Sequence, residues 1–215
     1  MYVPRHFEMV CPNELHQLMQ ASPLGALVTM DSDGLDANHL PFLFDPTRGE
    51  QGSLLAHVAR SNPVWRDSLD GTEVLVIFRA GESYISPNWY PTKHESHRQV
   101  PTWNYRVVHA HGRLRVHDDE AFVRGVIARL TREHEARAQE PQPWRMSDSE
   151  PGYIAELVAC IVGIEVEITR LVGKSKLGQD EVARDRLSAG SMLLRRGETA
   201  LGEAMLGATP ASFGE

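Results

Sequence analysis

The chain has 215 residues, 41% hydrophobic and 24% charged, with a formal charge of −7. That length buries a core without disulfide or metal staples, the composition is globular rather than disordered, and the negative balance argues against nucleic acid as an electrostatic partner of the whole molecule. No apolar run approaches the ~20 residues of a membrane helix, and Met1 to His6 lack a signal peptide's apolar segment, so the expected location is the cytoplasm.

In chain order, Pro12 to Ala21 is predicted as a helix, with Pro12 in its first turn and Leu15, Leu18 and Met19 on one stripe. Leu24 to Met30 is a β-prone run, Asp31 to Gly34 ("DSDG") a turn, and Leu35 to Asp45 a second strand. Ser53 to Ala59 is the third strand, and Asn62-Pro63 opens a short helix through Leu69. Thr72 to Arg79 reads as a buried strand and Ser83 to Ser86 as a short one after an Ala80-Gly81-Glu82 turn. No helix is expected between Pro91 and Pro101. Thr102 to His117 is a long strand, and Asp118 is the expected cap of a helix from Asp119 to about Arg137. Tyr153 to Ala159 is helical or a turn, Cys160 to Leu171 a strand, and Gln179 to Leu206 mostly helix. Strands dominate, and the crossover helices of a parallel sheet are missing, so an antiparallel barrel decorated by helices is predicted.

Chemistry is sparse. The pairs His94/His97 and His109/His111 invite a metal, but no H-E-x-x-H motif or partner cysteine accompanies them, and solvated loop histidines are the simpler reading. No G-x-S-x-G is present, and Cys11 and Cys160 stand far apart without a C-x-x-C pattern, which suits inert thiols. No residue identifies a catalytic acid, base or substrate. Glycine-rich phosphate loops are absent too. At "AHVARSNPVWR" (Ala56–Arg66), Arg60, Ser61 and the helix start could cradle an anion, or Ser61 or Asn62 could simply cap that helix. Arg outnumbers Lys by 19 to 3, and two of the three lysines sit together at Lys174 and Lys176. The segment Tyr84–Leu114 is the densest in planar side chains: three of five tyrosines, two of four tryptophans and four of ten histidines.

Six blocks carry a resemblance: "MYVPRHF" (Met1–Phe7), "NHLPFLF" (Asn38–Phe44), "AHVARSNPVWR", "EVLVIFRAGESYISPNWY" (Glu73–Tyr90), "VPTWNYRVVHAHGRL" (Val100–Leu114) and "GKSKLGQ" (Gly173–Gln179). Together they resemble the PaiB-like FMN-binding split-barrel proteins, often labelled negative transcriptional regulators. The chain departs from the family's K-x-K-L-S-Q-N pattern at Gly178 and Asp180. The resemblance implies a mainly β, six-stranded split-barrel domain over residues 1–177, a helical extension over 178–215 packed on it, and a homodimer with FMN in grooves at the subunit interface. It further implies that Arg60 and Ser61 hold the phosphate with Lys174 or Lys176, and that Trp103, Asn104 and Tyr105 supply a wall and polar edges to the ring. Asn38, His39, His57 and Val58 would face the flavin or its ribityl chain, with Gln179 nearby. Because strand neighbours point to opposite faces, only one of Asn38 and His39 can meet the groove; His39 is favoured, since its imidazole can bond the flavin edge.

Two function classes follow: a flavin-binding regulator, and a flavin-dependent oxidoreductase, with haem in the same groove as a smaller alternative. Direct DNA contact would fall to Arg124, Arg129, Arg132 and Arg137 on one helix, but Glu133 and Glu135 dilute that patch, and a solvated face is the favoured reading.

Overall fold

In the computed structural model residues 1–67 and 70–210 are described. Eight strands and seven α-helices follow in chain order: β1 (Glu8–Met9), α1 (Pro12–Ala21), β2 (Leu24–Asp31), β3 (Gly34–Pro41), β4 (Leu43–Asp45), β5 (Ser53–Ala59), α2 (Val64–Asp67), β6 (Glu73–Ile85), α3 (Pro91–Ser96), β7 (Thr102–His117), α4 (Glu120–Ala138), α5 (Pro151–Ala159), β8 (Ile161–Lys176), α6 (Ala183–Arg195) and α7 (Thr199–Gly207). The strands form one sheet in the order β3-β2-β6-β7-β8-β5-β4, with β1 on β8. Every pairing whose register is resolved is antiparallel. No helix among the described residues is long and apolar enough to cross a membrane.

The chain forms two compact units. The first comprises Met1–Leu18, Arg79–Val108 and the chain from Val172 onward; the second comprises Met19–Phe78 and His109–Leu171. The boundary expected after residue 177 falls inside the first unit, which holds α6 and α7. In the second unit Leu27, Leu54, Val76, Phe78, Leu114, Ile164 and Val166 are all but sealed from solvent. Alternation along each strand delivers that inward row. Gly112 admits the close approach of β7 to β8, because a Cβ there would stand 2.5 Å from the Glu167 carbonyl oxygen. On the other face of β4 and β5, α4 lays Val126 and Leu130 against Leu43 and Leu55. In the first unit Ile85, Tyr90, Leu177, Leu193, Leu201 and Met205 form a separate core.

Several expectations are corrected. There are eight strands rather than six, partly because the segment read as one strand to Asp45 breaks at Phe42, whose N–H donates to the Pro23 carbonyl instead of a ladder. The two strands expected over Thr72–Arg79 and Ser83–Ser86 are a single one, β6 (Glu73–Ile85), which passes through Gly81 at a φ of 69° that glycine tolerates. A helix, α3, occupies the segment where none was expected. Its first turn holds Pro91, and the buried carboxylate of Asp185 accepts from the Thr92 N–H (3.0 Å) and hydroxyl. Helix α4 is capped by Asp119, whose carboxylate accepts from the Phe122 N–H at 2.8 Å, because Asp118 is committed elsewhere. Of the short helix expected through Leu69, α2 accounts for Val64–Asp67, and the last two positions lie outside the described residues.

Candidate functional site

In the first unit, the start of β7 and the middle of β6 border a cleft of about 410 Å³ lined by Arg79, Glu82, Trp103, Tyr105, Arg106 and Val107. Trp103 is 56% exposed and Tyr84 45% exposed. Their rings meet edge to face at 6.3 Å, which orients the indole. Beneath it the Lys176 ammonium donates to the Trp103 carbonyl at 3.0 Å and to the Thr102 hydroxyl. Arg79 pairs with Glu82, whereas the Arg106 Nε is buried without a partner. The result is a bare aromatic plate with cations at its rim.

Lys174 has a different setting. It is 9% exposed, and its ammonium lies 5.3 Å from the Tyr105 ring centre, 5.8 Å from Phe7 and 5.9 Å from Tyr2, with the Tyr2 carbonyl at 3.5 Å. A desolvated ammonium gains from such a cage of ring faces. Asn104 is buried, its amide donating to Met205 Sδ at 3.4 Å while its Oδ1 has no partner. Gln179 closes its own turn, accepting from the Leu177 N–H at 2.7 Å and donating to the Ser175 carbonyl at 2.6 Å.

The remaining candidates lie in the second unit. The Arg60 guanidinium is a closed fork: Nη1 and Nη2 donate to Asp118 at 2.9 and 2.6 Å, Nε to the Ala159 carbonyl at 2.7 Å, and Nη2 also to Ile161 at 3.2 Å. Ser61 is exposed, and the helix start beside it is met by Asn62, whose Oδ1 accepts from the Val64 N–H at 3.0 Å. The Asn62 amide in turn donates to Asn38 Oδ1 at 2.7 Å. His57 and Val58 point to opposite faces of β5. Val58 is 2% exposed in the core, while burial lowers the pKa of His57, whose Nδ1 has no partner.

His39 sits on another kind of surface. The register Leu24↔Pro41, Ala26↔His39, Val28↔Ala37 and Met30↔Leu35 puts one row of side chains on the outer face of β2 and β3. Leu24, Met30 and Leu35 are 62%, 63% and 72% exposed. The row continues onto β6, where Ala26 faces Ile77 and Val28 faces Leu75. This is an apolar sheet face with one imidazole in it. Asn38 lies on the opposite side, in register with fully buried Leu27.

A family model described as "Putative FMN-binding domain" matches residues 1–170. The chain belongs to that family. Within it, the protein is PaiB-like: it is 27% identical to the Bacillus subtilis protease synthase and sporulation protein PAI 2 over 188 residues, 87% of this chain and 86% of that one. An uncharacterized protein of Emericella nidulans is 31% identical over 205 residues, 80% of this chain and 82% of its own. Among solved structures, the FAD and haem binding protein of Mycobacterium smegmatis aligns with a TM-score of 0.54 at 16% identity, over 79% of this chain and 73% of that one. The flavocytochrome Anf3 of Azotobacter vinelandii aligns at 0.54 and 13%, over 81% and 72%. These likenesses show the fold, the antiparallel split barrel of flavin-binding proteins.

Against that family frame, the sequence singled out Trp103 and Tyr105 but not Arg79, Tyr84 or Arg106. One signal was available: Tyr105 and Val107 alternate with Arg106 on a strand, so a polar residue flanks each apolar one. On α4, Arg124 pairs with Glu120, Arg129 with Asp45 and Arg137 with Glu133, so three of the four arginines offered for DNA are neutralised in place.

Proposed function

We propose that this PaiB-like protein is a cytoplasmic FMN-binding homodimer that acts as a negative regulator, by flavin-linked contacts rather than by broad DNA contact. The bare Trp103 plate with Arg79 and Arg106 beside it carries the reading. A flavin offers a flat ring to stack and a pyrimidine edge to bond, and the cleft holds a stacking surface and an unpartnered buried donor at Arg106. In the second unit, Ser61 and Arg60 are the proposed phosphate contacts; for Arg60 this means that phosphate takes the place of Asp118 at the same fork. The apolar face of β2, β3 and β6 supports the homodimer, since exposed apolar patches of this kind mark interaction surfaces, and it would bring His39 to the interface. A relative named for protease synthesis and sporulation supports regulation, and three neutralised arginines on α4 argue against a DNA-binding face.

Absorbance of the purified protein, titration with FMN and FAD, and light scattering at micromolar concentration test this directly. Flavin bands, tighter binding of FMN than of FAD, and twice the chain mass are expected. A stable monomer, or flavin affinity no better than free solution quenching, would overturn it.

A further inference from the structure

A second cleft, of about 560 Å³, lies in the second unit between the C-terminal half of α4 and the segment that follows it. Its size is within the ~300–1,000 Å³ of small-molecule sites. Ala128 and Ala136 of α4 and Trp144 and Met146 of the following segment make its walls. Trp144 is 41% exposed, and its backbone N–H donates to Glu135 Oε2 at 2.8 Å, which pins the segment over the helix. Two guanidiniums, Arg132 and Arg145, border the cleft. The other arginines of α4 each hold a carboxylate. The Arg132 and Arg145 guanidiniums hold none among the described residues, although the Arg145 backbone N–H donates to Asp148 Oδ2 at 2.9 Å.

We infer that this cleft binds a small aromatic or branched apolar molecule carrying a carboxylate. The walls are apolar and include an indole face, which selects a flat or branched apolar body. The charges select the head group: the two guanidiniums have no carboxylate partner among the described residues, because Glu135 is taken by the Trp144 backbone N–H and Asp148 by that of Arg145. A planar carboxylate matches the guanidinium fork. None of its lining residues lines the Trp103 cleft.

The test is a titration of ¹⁵N-labelled full-length protein with 2-naphthoate, read at the indole N–H of Trp144 after assignment with Trp144→Phe. It is run with and without FMN, so that failure of the flavin reading leaves this readout intact. The Trp144 resonance is expected to shift saturably. Arg132→Gln should weaken the affinity about tenfold, the loss expected for one charge-assisted pair. Uncharged 2-naphthamide should bind the wild type about as weakly, and Arg132→Gln should not weaken it further. No shift of Trp144 at millimolar naphthoate, or equal affinities for wild type and Arg132→Gln, would overturn the inference. So would a Trp144 resonance that moves with protein concentration alone, because the cleft would then hold a second copy of the chain.

Discussion

Tyr90 and Trp103 come from the same aromatic-rich stretch, yet one is 1% exposed and the other 56%. Tyr90 follows a tight turn capped by Ser86 and is covered by α6 and α7, with Leu193, Leu201 and Met205 around it. Trp103 lies at the start of β7, more than half exposed, with the Tyr84 ring against its edge. Density of aromatics in sequence therefore marks both core and site. What separates them is a pair of helices that arrives about a hundred residues later.

The largest effect that could break this contrast is on stability. Tyr90→Ala opens a cavity in the first unit's core and is expected to cost about 3–5 kcal/mol in denaturant unfolding. Trp103→Ala removes an exposed ring and is expected to stay within about 0.5 kcal/mol of wild type. Similar losses in both would show that Trp103 is core after all.

Arg60 is the next place to press. If groups already satisfied by the protein do not serve ligands, its fork should be irrelevant; if phosphate replaces Asp118, it should matter. The expected result is that Arg60→Ala weakens FMN about tenfold while Asp118→Asn, which frees the fork, does not weaken it. Fluorescence titrations of the three proteins decide, and equal affinities would show that the fork serves Asp118 alone.

Smaller effects sharpen the core side. Burial, with Glu181, Asp180 and Asp185 nearby, pushes the Tyr90 phenol up, and its hydroxyl has no hydrogen-bond partner. Tyr90→Phe deletes that orphan and should raise stability by about 1 kcal/mol; a loss of similar size would reveal an unseen partner. Burial likewise raises Glu181 above the ordinary carboxylate value of 4.5, with Asp180 and Asp185 adding to it against the Gln99 amide and Lys176. The folded state then takes up a proton more readily than the unfolded one. That acid's contribution makes stability fall as pH rises from about 4.5 through the raised value. In Glu181→Gln this component should vanish, which thermal unfolding between pH 4.5 and 7 would register as a flatter profile than wild type.

Much of the fold was legible. The bounds of α1, β5 and β7 follow from local pattern: a proline in a first turn, then alternation between turn residues. Helix α3 was not legible because the carboxylate that satisfies its first turn, Asp185, is 93 residues from Thr92. Asp118 and Asp119 are equally good caps by type, and only the presence of Arg60 reveals which one is free. In the site, Trp103 and Tyr105 could be named because aromatics are scarce here. Arg79 and Arg106 could not, since 19 arginines dilute any single one. His57 and Val58 were both expected at the flavin, although neighbours on a strand face opposite sides, and the core takes Val58.

The central claim is that Trp103 is a flavin wall rather than stray exposed surface. It is tested most directly by titrating FMN, at fixed micromolar concentration, with wild type and Trp103→Ala and following quenching of flavin fluorescence, with the fold checked by circular dichroism. Stacking on an aromatic ring is worth on the order of 1–3 kcal/mol for a flat heterocycle, so the account predicts a loss of about tenfold or more in affinity with an unchanged fold. Equal affinity in the two proteins would contradict it.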